Sequence, residues 1–148
     1  MDLGLTEKVA IITGSSRGLG LAAAEALVVE GCHVCLCART KDPLIEAARK
    51  VSQRAPVGTK VITVQADVSQ LDGIKAVVNR TVDEFGGIDV LVNNVGSAGG
   101  SSLLKTSDTE WQEAIDQTFF PAVRASRSSR PRRPNGSARG ACLRAPFR

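Results

Sequence analysis

Apolar positions along this chain recur in two alternating patterns. Lys8 to Thr13, His33 to Ala38, Val61 to Ala66 and Ile88 to Asn93 are short, nearly unbroken apolar runs, as expected of strands covered on both faces. Between them the spacing becomes helical. A first helix is predicted over Arg17 to Glu30, with Leu19, Ala22, Ala23, Ala26 and Leu27 facing the sheet and Gly31 just past its end. A second should be capped by Asp42, with Pro43 at its first position and a stripe of Leu44, Ala47, Ala48 and Val51. Ala55-Pro56-Val57-Gly58 breaks it. A third, capped by Ser69, carries Ile74, Val77, Val78, Val82 and Phe85 and ends at Gly86-Gly87. After a glycine- and serine-rich loop, Asn94 to Thr106, the capping box Ser107-Asp108-Thr109-Glu110 opens a fourth helix with Trp111, Ile115 and Phe119 on one face. Pro121 lacks the N–H of a helix interior, so this helix is expected to kink or stop near Phe120.

Strands alternating with helices define an α/β fold with a parallel sheet, right-handed crossovers, and ligands at the carboxyl ends of the strands. A chain of 148 residues is one domain at most, and its 43% hydrophobic and 23% charged content is ordinary for a soluble protein. No apolar run approaches the roughly 20 residues of a membrane helix. Met1-Asp2-Leu3-Gly4 lacks the features of a signal peptide, so a cytoplasmic location is expected.

The net charge of +4 hides an asymmetry. Residues 1–116 carry all 15 acids against 11 Lys or Arg, whereas residues 117–148 carry eight Arg and no acid. Residues 125–148 show no periodicity and are rich in Arg, Pro, Ser, Gly and Ala. The expected division is an incomplete α/β domain over 1–124 and a basic tail over 125–148, disordered or out of frame. Cys32 and Cys35 match C-x-x-C, but residues three apart in an extended run point to opposite faces. No second such pair exists and His33 is the only histidine, so buried, inert thiols and no metal site are expected.

The chemistry concentrates where the first strand meets the first helix, in Thr13-Gly14-Ser15-Ser16-Arg17-Gly18-Leu19-Gly20. Glycines at a tight turn allow close backbone approach, and a helix N-terminus offers unpaired N–H groups to a phosphate. Asp67-Val68 follows the third strand and Asn93-Asn94-Val95-Gly96 the fourth. With these motifs in order, the chain resembles the short-chain dehydrogenases/reductases, NAD(P)-dependent oxidoreductases on a Rossmann-type, doubly wound fold. The resemblance covers roughly residues 5–127, giving four βα units.

The resemblance implies that Gly14, Ser15, Ser16, Arg17, Gly18 and Gly20 wrap a pyrophosphate, with Leu19 nearing the nicotinamide through its backbone. Asp67 would accept from the adenine amino group, Val68 would pack on the adenine, and Asn94 would hold the adenosine ribose side while stabilising the sheet. Asp67 could instead cap its own turn, and for Asn93 and Asn94 a structural role stands equally. An acid at the end of the second strand selects NAD; here Ala38 stands at that place, followed by Arg39. Two guanidinium groups, Arg17 and Arg39, with no opposing acid, favour NADP(H) over NAD. Otherwise Arg39 is simply a solvated residue leaving the strand.

The family's proton donor is a Tyr, with a Lys four residues later, a positioning Ser, and a helix Asn supporting a water relay. This chain has no Tyr and, after Lys105, no Lys; Thr118 falls where the Asn is expected. Ser126, Ser128, Ser129 and Ser137 lie in the patternless region, and none is taken as catalytic. A frameshifted or truncated reductase, inactive alone, is the expectation, testable by reading the coding DNA downstream in every frame. Loss of a fifth strand would leave the fourth strand's edge and the Trp111 helix face open to self-association. A non-catalytic dinucleotide-binding module is the alternative function. Nucleic-acid binding by the arginines is disfavoured, because Phe147 is the tail's one aromatic residue after position 120.

Overall fold

The computed structural model describes residues 3–96, 102, 104–129 and 141–143. Strands and helices alternate as the apolar pattern requires: β1 (Val9–Thr13), α1 (Gly18–Val29), β2 (His33–Ala38), α2 (Lys41–Gln53), β3 (Val61–Gln65), α3 (Leu71–Phe85), β4 (Val90–Val92), α4 (Asp108–Ser128) and β5 (Ala141–Leu143). The sheet is parallel, in the order β3-β2-β1-β4-β5. The chain winds outward from β1 to β3 and then returns to the other side of β1. The reversal opens a crevice at the carboxyl ends of β1 and β4.

Because successive strand residues point to opposite faces, β1 feeds two cores. Ala10 and Ile12 join Ala24 and Val28 of α1 and Leu44, Ala47 and Val51 of α2. Ile11 faces the other way, with Cys35, Cys37, Ile74, Val77, Leu91 and Ala125. Ile11 and Ile12 are essentially fully buried, each stabilising the fold by about 1.5–3 kcal/mol through burial. The doubly wound Rossmann-type architecture is therefore present, and its two layers fix β1 at the centre.

Element ends differ from the sequence expectations in instructive ways. α2 begins at Lys41 after Thr40, so Asp42 is a first-turn acid and Pro43 the third helical residue. The whole first turn tolerates proline, because its N–H groups have no intrahelical acceptor. Gln70, not Ser69, is the residue before α3. Ser69 is drawn into a turn instead, giving its N–H to Asp67 Oδ1 at 2.9 Å, while Gln70 N–H meets the Asp67 carbonyl at 3.1 Å. The capping box of α4 is as expected: Ser107 Oγ accepts the Glu110 N–H at 3.3 Å, and Glu110 Oε2 accepts the Ser107 N–H at 2.7 Å.

Pro121 does not stop α4, which runs on to Ser128 and passes through the expected boundary at residue 124. Its ring is buried, so packing offsets the one N–H that proline cannot give to Gln117. Ser126 and Ser128 are thus helical rather than part of a patternless region. β5 pairs with β4, Val90 opposite Ala141 and Val92 opposite Leu143, so the expected open edge of β4 is covered. Three residues are too few for alternation to show in a sequence, whereas a row of backbone donors and acceptors recruits any extended segment. Ser137 and Phe147 lie outside the described residues. Among those described, no helix is long and apolar enough to cross a membrane.

Candidate cofactor cleft

The β1–α1 turn is built from three glycines with different tasks. Gly14 and Gly18 take positive φ angles of 65° and 59°, which other residues adopt only with strain. A Cβ at Gly18 would meet nothing within 4 Å, so the backbone is open there to a ligand. Gly20 is the reverse. A Cβ there would stand 2.5 Å from both the Gly14 carbonyl oxygen and Asn94 Nδ2, so its task is close packing of α1 onto the turn. Arg17 is the N-cap of α1, whose first turn contains no acid. Its leading N–H groups and partial positive charge suit an anion.

Ser15, expected on the pyrophosphate, is fully buried and turned to the sheet. Its Oγ accepts the Cys37 N–H at 2.9 Å, and its own N–H meets the Cys37 carbonyl at 3.1 Å. Ser15 therefore ties the turn to the end of β2. The second tie comes from Asn94, whose Nδ2 donates to the carbonyls of Thr13 and Gly14, both at 3.1 Å. Thr13 completes the clamp. Its Oγ1 accepts the N–H groups of Asn94 at 2.9 Å and Val95 at 3.3 Å, and donates to the Val92 carbonyl at 3.2 Å. The structural role weighed for Asn94 is thus realised in full. Asn93 Nδ2 reaches Ser126 Oγ of α4 at 3.3 Å.

Asp67 heads the β3–α3 turn. The Ser69 hydroxyl and N–H hold its carboxyl below the usual range, with Arg39 adding a smaller electrostatic contribution. Turn capping and an outward carboxylate coexist in this residue. The residue at the end of β2 is Ala38, not an acid; Asp67, to which Arg39 contributes electrostatically, stands on the separate β3–α3 turn. Val68 is 95% buried, in the core with α3 and α4, and also borders the cleft.

These loops enclose a cleft of about 680 Å³, within the usual range for small-ligand sites. Of the residues the sequence singles out, Gly14, Ser16, Arg17, Arg39, Asp67, Val68 and Asn94 line it. Ser15, Gly18, Leu19 and Gly20 are not among the lining residues, and the Leu19 side chain is 83% exposed. Thr40, Pro43, Ser69, Val95 and Gln117 also line it. Val95 sits inside the Asn93–Gly96 motif and Pro43 in the first turn of α2, but nothing in their residue types marks them as lining, nor does anything mark Thr40, Ser69 or Gln117. Thr118, at the place of the family's helix Asn, packs toward Gly96, where a Cβ would come 3.4 Å from Thr118 Cγ2.

Cys32, Cys35 and Cys37 are buried, as expected; the Cys142 side chain lies outside those described. Cys32 lies in the core with α1 and α2, while Cys35 and Cys37 lie in the other. Burial pushes the Cys32 and Cys37 thiols up to about 12 and Cys35 to about 11. Among the described residues no group of three His, Cys, Asp or Glu side chains could hold a metal. His33 is structural, accepting the Lys60 N–H at Nδ1 (3.0 Å) and stacking on Phe85 at 5.2 Å.

A strand, a glycine turn, a helix N-terminus and two further strand-end loops around one cleft are the parts of a Rossmann-type nucleotide-binding domain. The sequence profile described as short chain dehydrogenase matches residues 8–138, and the chain belongs to that family of nicotinamide-dependent oxidoreductases. The match continues beyond residue 127, where the motifs alone cease to show it. The chain is 36% identical over 132 residues to an uncharacterized oxidoreductase of Bacillus subtilis, covering 89% of this chain and 48% of that protein. It is 38% identical over 112 residues to a 3-oxoacyl-[acyl-carrier-protein] reductase of Synechocystis, covering 76% of this chain and 44% of that one. Among solved structures it is similar to L-sorbose reductase from Gluconobacter frateurii complexed with NADPH and L-sorbose. There the TM-score is 0.80 and the identity 42%, covering 87% of this chain and 48% of that one. The chain spans under half the length of each of these relatives.

Proposed function

We propose that this chain is the NADP(H)-binding part of a short-chain reductase, and that it holds the dinucleotide without turning over a substrate on its own. The observation that carries the reading is the convergence of the glycine turn, the Asp67 turn and the Asn94-clamped loop on one cleft. In this reading the α1 N-terminus and the Gly14–Gly20 backbone hold the pyrophosphate. Asp67 and Val68 receive the adenine, and Asn94 keeps the turn in shape. Arg17 and Arg39 flank Ala38, where an acid would have excluded a 2′-phosphate. L-sorbose reductase, similar to this chain, is itself complexed with NADPH, which supports the same choice.

The nicotinamide supplies or accepts a hydride when bound; the protein's part is orientation and proton transfer to a carbonyl or secondary alcohol. For the proton this chain has no Tyr. NADPH should therefore quench or enhance protein fluorescence saturably, more tightly than NADH, while a panel of ketones and secondary alcohols shows no turnover. Turnover by this polypeptide alone would overturn the reading. Arg39→Asp should reverse the NADPH preference by roughly tenfold; an unchanged ratio removes Arg39 from the 2′-phosphate site. A cytoplasmic location and self-association through the exposed face of α4 belong to the same reading.

A further inference from the structure

We infer that Arg124 of α4 is a positioning residue for the adenine end of the cleft, acting through the peptide of Ser69. The inference rests on the dinucleotide reading above. Arg124 Nη1 donates to the Ser69 carbonyl at 2.7 Å, from a helix 55 residues further along the chain. Its guanidinium carbon also sits over the Phe120 ring, 5.1 Å from the centre, a cation–π contact that helps hold the side chain in place.

Ser69 is thereby held on both sides. Its carbonyl is bound by Arg124, and its N–H is bound by Asp67 Oδ1 at 2.9 Å. The turn is also pressed from α3, because a Cβ on Gly73 would collide with the Asp67 carbonyl. Asp67, Val68 and Ser69 all line the cleft. Rotation of the Ser69–Gln70 peptide, whose carbonyl Arg124 holds, would draw the Gln70 N–H off the Asp67 carbonyl and loosen the turn that carries the Asp67 carboxylate. A charge-assisted bond of this length is worth about twice a neutral one, so Arg124 restrains that carbonyl from outside the turn.

The same helix bounds the opposite wall, through Thr118 against Gly96 and through Gln117 in the lining. Through Arg124, α4 sets the spacing between the adenine turn and the loop after β4. Lysine in this place would keep a charged donor but lose the planar contact with Phe120.

The test uses the full chain with Arg124→Met, which keeps most of the aliphatic stem, and Arg124→Lys. Amide hydrogen exchange is followed without nucleotide, and NADPH and adenosine 2′,5′-bisphosphate are then titrated. Arg124→Met should speed exchange at Ser69 and Gln70 while leaving β1 and β2 protected. Both nucleotides should bind about five- to tenfold more weakly, and Arg124→Lys should recover part of the loss. Unchanged exchange at Ser69 and Gln70, unchanged affinity in Arg124→Met, or faster exchange spread across β1 and β2 would each overturn the role. A wild-type chain that binds neither nucleotide overturns the dinucleotide reading, and this role with it. Wild-type binding that Arg124→Met leaves intact overturns Arg124 alone.

Discussion

Gly20 and Asp67 show how narrow the tolerances of this cleft are. A methyl group at Gly20 would press on the Gly14 carbonyl and on the Asn94 amide at once, and neither is the free end of a flexible chain. Gly20→Ala should therefore destabilise the protein by about 1–3 kcal/mol, read as a lower urea midpoint. A midpoint equal to wild type would mean that α1 can shift away from the turn. Asp67 acts through charge. Its carboxyl is held below its usual range by Ser69 first and Arg39 second, so its folded pKa lies below the unfolded one. The stability it adds is complete above the ordinary Asp value of about 3.9 and is lost as pH falls through the lower folded value. Asp67→Asn should melt below wild type at neutral pH, with the difference closing as pH drops below about 4. A difference that does not narrow at all as pH falls below about 4 would show that the charge is immaterial.

α4 shows how packing overrides local signals at the scale of an element. Pro121 is read in sequence as a kink or a stop; the helix does not stop but runs to Ser128 with the proline buried, because tertiary burial outweighs one missing hydrogen bond. The other face of α4 is unsatisfied: Trp111, Ile115 and Phe119 are 46%, 42% and 58% exposed. An apolar stripe of this kind is an association surface, and the proposed occupant is a second copy of the chain. Phe119→Glu should shift the protein to a smaller species in light scattering while leaving its melting cooperative. An unchanged mass would remove Phe119 from any such contact. The strand half of the expected association surface is withdrawn, since β4 is paired to β1 on one side and β5 on the other.

At the scale of the whole molecule, the alternation of strands and helices and the place of the cleft were legible from Val9 to Gly96 because each signal there is local. Unbroken apolar runs mark strands buried on both faces, Gly86 ends α3 at a φ of 78°, and Thr13 to Gly20 spells a turn between strand and helix. The sequence by itself determined the βα alternation, the glycine cradle, the burial of Cys32, Cys35 and Cys37, and the absence of a Tyr. Tertiary structure decided what each cradle residue does. It turned Ser15 toward Cys37, made Thr13 and Asn94 a clamp, brought Arg39 near Asp67, joined Arg124 to Ser69, and paired β5 with β4. The reason is physical. Backbone conformation and burial period are encoded by neighbours in sequence, whereas a hydrogen bond across 55 or 81 residues forms only once the sheet has set the distance between its partners.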